Sequence, residues 1–198
     1  MKKALNHIIS QDGQAVYYGT ILNGDQISVH FDALLKTIDW QHEVIVMFGK
    51  ELTTKRKVAF YGDDCIEYTY SKKTKKGLQW NHTLLAIKAL IETYTNTTYN
   101  ACLLNLYHDG NEGMGWHSDD EKEILPNSSI ASLSLGAARK FSFKHKSTKE
   151  TISLLLENGS LLEMKGPIQK NWLHELPKTK KINTPRINLT FRQMVHEK

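Results

Sequence analysis

The chain has 198 residues, 26 Lys+Arg against 21 Asp+Glu, a net charge of +5 and an isoelectric point near 9.0. That length is enough for one full hydrophobic core, and the basic balance favours a polyanionic partner over an acidic protein or a neutral metabolite. No apolar stretch reaches membrane-spanning length, residues 1–9 lack the apolar run of a signal peptide, and Cys65 and Cys102 lack the spacing of a zinc site or a disulfide framework. The composition therefore argues against membrane and secreted classes and for an intracellular protein with two buried thiols.

The first part of the chain reads as irregular to mixed. Residues 31–38 carry apolar side chains at helical spacing and predict a short helix, and 43–48 form a β-prone run that meets a turn at Gly49. After a further short strand, 59–64 has turn chemistry, and Tyr68, Thr69 and Tyr70 read as a strand with both rings on one face. The lysine-rich stretch 72–77 predicts a solvated loop. Asn81 is placed to cap a helix whose apolar face holds Leu84, Leu85, Ala89 and Ile91, ending near Thr95 and Asn96.

From Tyr99 onward short β-prone runs alternate with turns, at 100–107, 129–135, 140–145, 151–156, 160–164 and 186–194. This pattern, with little helix, predicts an antiparallel sandwich or jelly roll.

Three stretches of this half carry chemistry. His117-Ser118-Asp119, with His174 far downstream, has the residue types of a facial iron site, in which two imidazoles and a carboxylate hold one side of the metal and leave the other open. Taken alone, His117-x-Asp119 reads equally as a polar turn, and His174 as a partly buried imidazole satisfied by a carbonyl. Gly113, Met114, Gly115 and Trp116 supply turns that re-aim a strand end, and the carboxylates of Asp119, Asp120 and Glu121 call for a cation or donors nearby.

The third stretch is the most informative. Arg186, Asn188, Thr190 and Arg192 recur at period two, so a strand projects all four to one face and Ile187, Leu189 and Phe191 to the other. Facing inward, two guanidinium groups need an anionic partner to offset their desolvation; facing outward, they are the solvated side of an edge strand. Asn105 and Tyr107, also two apart, can add an amide and a phenol to the same inner face.

Together these stretches resemble the AlkB family of Fe(II)/2-oxoglutarate dioxygenases, the oxidative nucleic-acid demethylases. The likeness rests on Asn105-Leu106-Tyr107, residues 114–121, 130–137 and 174–177, and Pro185 through Arg192, and covers about half the chain in order. Upstream, Phe48-Gly49-Lys50, Tyr61-Gly62-Asp63 and Tyr68-Thr69-Tyr70-Ser71 are similar to the nucleotide-recognition lid of the branch that repairs duplex DNA. Lys72 and Asn81 depart from that branch, which carries Gly after the Ser and a Pro soon after the Trp.

The resemblance implies a mainly β fold with flanking helices: one domain over 1–198, with an N-terminal extension and lid at 1–98 and a double-stranded β-helix (jelly-roll) catalytic core at 99–198. It implies Fe(II) on His117, Asp119 and His174, and 2-oxoglutarate on Asn105, Tyr107, Arg186, Asn188, Thr190 and Arg192, with O2 as co-reactant. The implied reaction is oxidative demethylation of bases such as 1-methyladenine and 3-methylcytosine in DNA, releasing succinate, CO2 and formaldehyde. RNA demethylation and nucleic-acid binding without turnover are the rival readings.

For the substrate it implies Tyr70 stacking a flipped base against His117, Tyr68 assisting, Glu121 on an exocyclic amino group, and Lys50 on phosphate beside Gly49. Phe48 reads as a wedge filling the vacated space, against the alternative of a hairpin residue packed on the core. A monomer is expected, with no membrane association, in the cytoplasm or, in a eukaryote, the nucleus.

Overall fold

The computed structural model describes residues 6–47, 50–64, 66–70 and 73–195, and the side chains of these except 45–47, 50, 67–70 and 73–75. Eight strands are divided between two facing sheets: β7 (Ala101–Tyr107), β8 (Met114–His117), β9 (Ile130–Gly136), β10 (Arg139–His145), β11 (Thr151–Leu156), β12 (Ser160–Lys165), β13 (Trp172–Leu176) and β14 (Arg186–Arg192). The smaller sheet runs β11-β10-β13-β8 and the larger carries β12-β9-β14-β7, with all these pairs antiparallel. This is the expected double-stranded β-helix.

The larger sheet is extended on both edges by the N-terminal half. β1 (Asn6–Ile9) and β2 (Gln14–Thr20) add beyond β12, and β3 (Gln41–Met47) and β4 (Lys50–Gly62) add beyond β7, giving eight strands among the described residues. Neither β1 nor β2 is foreseen in the sequence. The turn expected at 59–64 is confined to Asp63 and Asp64: Lys57 to Gly62 pair continuously with β7, so β4 runs for 13 residues. The loop expected at 72–77 contains a strand, β6 (Lys73–Lys76), paired with β5 (Glu67–Tyr70). A hairpin ladder satisfies backbone groups whatever the side-chain charge, which is why a lysine run hides it.

The helices cover one face of the larger sheet. α1 (Gly24–Thr37) starts seven residues before the expected helix, because Asn23 and Gln26 form a reciprocal cap: Asn23 Oδ1 accepts from Gln26 N at 2.9 Å and Gln26 Oε1 from Asn23 N at 3.0 Å. α2 (His82–Thr95) is capped by Asn81 as expected and ends in the left-handed Asn96, at φ 51°. Its buried stripe is Leu84, Ile87, Ile91 and Thr95, whereas Leu85 and Ala89 are exposed.

Against these helices the larger sheet presents Leu104, Leu106, Leu133, Leu135, Ile187, Leu189 and Phe191; Phe143, Leu162, Met164 and Trp172 fill the space between the sheets. Cys102 is buried in the first cluster, while Cys65 lies outside the described residues. Among the described residues no helix is long and apolar enough to cross a membrane.

Arg139 opens β10 and is 1% exposed. Its guanidinium donates to the carbonyls of Asp109 (3.3 Å), Glu112 (2.8 Å) and Pro177 (2.9 Å), tying the connection from β7 to β8 to the end of β13. Arg139→Ala strands those carbonyls away from water at about 3 kcal/mol. A fall in melting temperature of roughly 10 °C follows for a chain of this size. Differential scanning calorimetry checks this, and a shift of a degree or less would show that the clamp carries no stability.

Candidate active site

Between the sheets lies a cavity lined by Asn105, Tyr107, His117, Asp119, Glu121, His174, Arg186, Asn188, Thr190 and Arg192. All of the metal and cosubstrate positions expected from the sequence are in this set, with Glu121. Register explains the convergence. His174 on β13 sits opposite His117 on β8, while Arg186 and Asn188 on β14 sit opposite Tyr107 and Asn105 on β7. Met114, Gly115 and Trp116, expected with Gly113 as turns, instead form a strand with His117, and its pairing with β13 is irregular between His174 and Leu176.

One Asp119 carboxylate oxygen lies 3.8 Å from His117 Nε2 and 3.9 Å from His174 Nε2, and one donor atom from each residue falls within 4.8 Å of the others. The His117 ring is oriented through its other nitrogen, which lies 2.7 Å from the Gly115 carbonyl. With Nδ1–H donating there, Nε2 is left as a lone pair facing the cavity. His174 is buried, and its ring is stacked by Phe141 at 5.5 Å and 28°. Burial lowers the His174 pKa to about 3 despite the nearby Asp119 carboxylate, so the imidazole is a neutral donor at physiological pH.

Burial alone would raise the Asp119 pKa, but the Arg192 guanidinium, joined at low pH by the imidazoles of His174 and His117 once they take up a proton, outweighs it and holds the group below the usual carboxylate range. Arg192 Nη2 stands 3.0 Å from Asp119 Oδ2, leaving Oδ1 directed at the imidazoles. On the backbone side, Asp119 N donates to Gln169 Oε1 at 3.0 Å from α3 (Ile168–Asn171). The His117 ring held by the Gly115 carbonyl, the neutral His174 imidazole and the ionised Asp119 carboxylate converge as a donor set that fits a divalent first-row metal.

Arg186 is 2% exposed and has no acidic partner among the described residues. Its Nη2 donates to Ser134 Oγ (2.8 Å) and Asn188 Oδ1 (2.7 Å), its guanidinium lies 5.6 Å from the Tyr107 ring, and Nε has no hydrogen-bond partner. Burial lowers its pKa to about 10, which still leaves the cation protonated at neutral pH. Asn188 Nδ2 donates to Thr190 Oγ1 at 2.8 Å, and Ser132 Oγ donates to Asn188 Oδ1 at 2.9 Å. The buried Asn105 Oδ1 has no partner. A desolvated cation with open donor positions fits a carboxylate.

Sequence reasoning missed several members of this wall. Ser132 and Ser134, two apart on β9, were signalled by the alternation Ser132-Leu133-Ser134-Leu135. Phe141, Gln169 and the buried ion pair of Glu43 and Arg56 carried no local signal. Arg56 also donates to Met114 Sδ at 3.4 Å, and both it and Glu43 line the cavity. Of the expected substrate residues, Glu121 is half-buried in the wall. Lys50, Tyr68 and Tyr70 are described only as backbone, in β4 and β5, and Phe48 and Gly49 lie outside the described residues.

The arrangement predicts that Asp119→Asn weakens Mn(II) or Fe(II) binding at least about 100-fold, the scale of losing an ionised ligand from such a set. Asp120→Asn, an exposed neighbour, should leave affinity unchanged. Isothermal titration calorimetry separates the two, and equal affinities would place the metal elsewhere.

The profile of the 2OG-Fe(II) oxygenase superfamily matches residues 14–192. The mouse protein "DNA oxidative demethylase ALKBH2" is 40% identical over 162 residues, covering 78% of this chain and 68% of that protein. Its bovine counterpart is also 40% identical, over 159 residues, and the chain spans only 57% of that length. The bovine "Alpha-ketoglutarate-dependent dioxygenase alkB homolog 3" is 35% identical over 172 residues, 82% of this chain and 59% of its own. The solved structure of OsALKBH1 superposes with a TM-score of 0.65 at 13% identity, over 96% of this chain and 99% of that one, and agrees in fold.

Proposed function

Because the chain belongs to the 2OG-Fe(II) oxygenase superfamily and, within it, to the AlkB family, we propose that it is an oxidative demethylase repairing N-alkylated bases in DNA, such as 1-methyladenine and 3-methylcytosine. The observation that carries this reading is the buried Arg186 cation, without an acidic partner among the described residues, in the same cavity as His117, Asp119 and His174. A dicarboxylate bridging a metal and a guanidinium satisfies both at once. The relatives named DNA oxidative demethylase favour DNA over RNA as the substrate.

Iron bound with 2-oxoglutarate and O2 supplies a two-electron oxidation of the N-methyl group, whose products are the repaired base, formaldehyde, succinate and CO2. The protein's part is placement and shielding. His117, Asp119 and His174 hold the metal on one side, with Arg192 and Gln169 keeping the Asp119 carboxylate turned toward it. Arg186 grips the distal carboxylate of the cosubstrate, with Asn105, Tyr107, Asn188 and Thr190 around it. Phe141, Leu103, Met164 and Leu176 form the apolar part of the wall and limit water.

Residues 1–98 supply the lid and 99–198 the catalytic roll. Tyr70, with Tyr68, stacks the extruded base, Glu121 accepts from its exocyclic amine, and Phe48 fills the gap while Gly49 and Lys50 follow the backbone. The protein acts as a monomer where DNA is found, in the cytoplasm or, in a eukaryote, the nucleus.

Incubation with methylated DNA and RNA oligonucleotides, with and without iron and 2-oxoglutarate, should show loss of a methyl group from DNA only when both are present. Mass spectrometry reads the product, and methyl loss from RNA alone would overturn the DNA assignment. In the same assay Arg186→Ala should raise the half-saturating 2-oxoglutarate concentration at least about tenfold, the loss of a charge-assisted pair. An unchanged requirement would remove Arg186 from the cosubstrate pocket.

A further inference from the structure

The two faces of the roll are treated differently. α1 and α2 pack over the larger sheet, whereas the outer face of the smaller sheet has no helix over it among the described residues. On β10, Phe143 points into the core, so Lys140 and Lys144 point out, with Ser142 on the same face but buried between its neighbours, its Oγ 2.9 Å from Ser153 Oγ. Register places Leu155, Ser153 and Thr151 of β11 beside them on one flank, and Glu175 and Leu173 of β13 beside Ser142 and Lys144 on the other. Thr151, Ser153 and Leu155 are exposed there, and Lys140 and Lys144 outnumber Glu175.

At its edge, on β8, stands Trp116. The residue is 38% exposed, and Lys144 Nζ lies 5.8 Å from the ring centroid. The next residue, His117, lines the cavity with its side chain 33% exposed. A large, partly exposed aromatic ring with a cation over it thus stands one residue from a side chain that lines the catalytic cavity. Such a pair suits an unpaired nucleobase, which offers a π face to the ring and a phosphate to the ammonium group.

We propose that Trp116 and Lys144 form a stacking platform on the outer face of the smaller sheet for an unpaired stretch of DNA flanking the base held in the cavity. This rests on the reading of DNA as substrate. A strand whose base enters beside His117 passes the rim at β8, and the neighbouring base meets Trp116 while Lys144 and Lys140 neutralise its phosphates. A duplex keeps its π faces stacked internally and gains only the lysine contacts, so the platform biases the enzyme toward single strands or frayed lesions.

The test uses the full chain loaded with Mn(II) in place of iron, and a short unmethylated oligothymidylate carrying fluorescein, with fluorescence anisotropy as the readout. Trp116→Ala should weaken binding about tenfold, the scale of one stacked base, and Trp116→Phe should retain most of the affinity. Lys144→Ala should lower the slope of log affinity against log salt by about one. A duplex of the same length should respond to Lys144→Ala but little to Trp116→Ala.

Unchanged oligothymidylate affinity in Trp116→Ala, or equal losses for single strand and duplex, would overturn the proposal, and so would an unaltered salt slope in Lys144→Ala. Should Trp116→Ala fail to fold, Trp116→Phe and Lys144→Ala decide the matter, because quenching of tryptophan fluorescence by oligothymidylate must fall in the former. The ligand carries no methyl group and no turnover is read. Absence of demethylation therefore overturns the proposed activity while this binding result stands or falls separately.

Discussion

Strand β14 is hydrogen-bonded along both edges, to β7 over Arg186–Arg192 and to β9 from Arg186 to Phe191. Its two-residue period then forces a division: Ile187, Leu189 and Phe191 go under the helices, and Arg186, Asn188, Thr190 and Arg192 go into the cavity. A slip of one residue would drive two guanidinium groups into the helix-packed layer and three large apolar side chains into the cavity. The burial energy of those apolar residues, of order 2 kcal/mol each, therefore holds the cavity's cations in place. Stability and site geometry are two faces of one strand.

The two inward arginines have separate work. Arg192 is matched with Asp119, so the carboxylate keeps its charge in a buried setting and presents a single oxygen to the imidazoles. Arg186 is surrounded by neutral partners, Ser134, Asn188 and the Tyr107 ring, that fix its orientation without cancelling its charge. A buried cation left uncompensated is costly. The chain tolerates it in a cavity where Asn105 and Thr190 are also polar, a setting that suits an anion.

Much of this was legible in the sequence because period two is a strong signal when one face is charged and the other aliphatic, as in β14. The jelly roll and the Asn81-capped helix likewise followed from short β-prone runs and a cap, whereas the grouping of His117, Asp119 and His174 followed from the resemblance to the AlkB family. Other parts were hidden. β1 and β2 lack clean alternation, and β6 is a lysine-rich run without apolar alternation. Glu43 and Arg56 lie thirteen residues apart on neighbouring strands and meet only through a hairpin with an irregular register. Gln169 reaches Asp119 from a helix fifty positions away. Contacts fixed by tertiary packing leave no periodic trace in the chain.

Among the described residues, the strand that completes the cavity is also the last in chain order. β14 inserts between β7 and β9, two strands synthesised well before it, so the larger sheet has a gap at its centre until residue 192 is available. A nascent chain that has emerged as far as β13 already possesses His117, Asp119 and His174, but neither Arg192 to orient the carboxylate nor Arg186 to receive an anion. Assembly of the cavity is thereby coupled to completion of the larger sheet, and a product truncated before β14 lacks both of that strand's guanidinium groups.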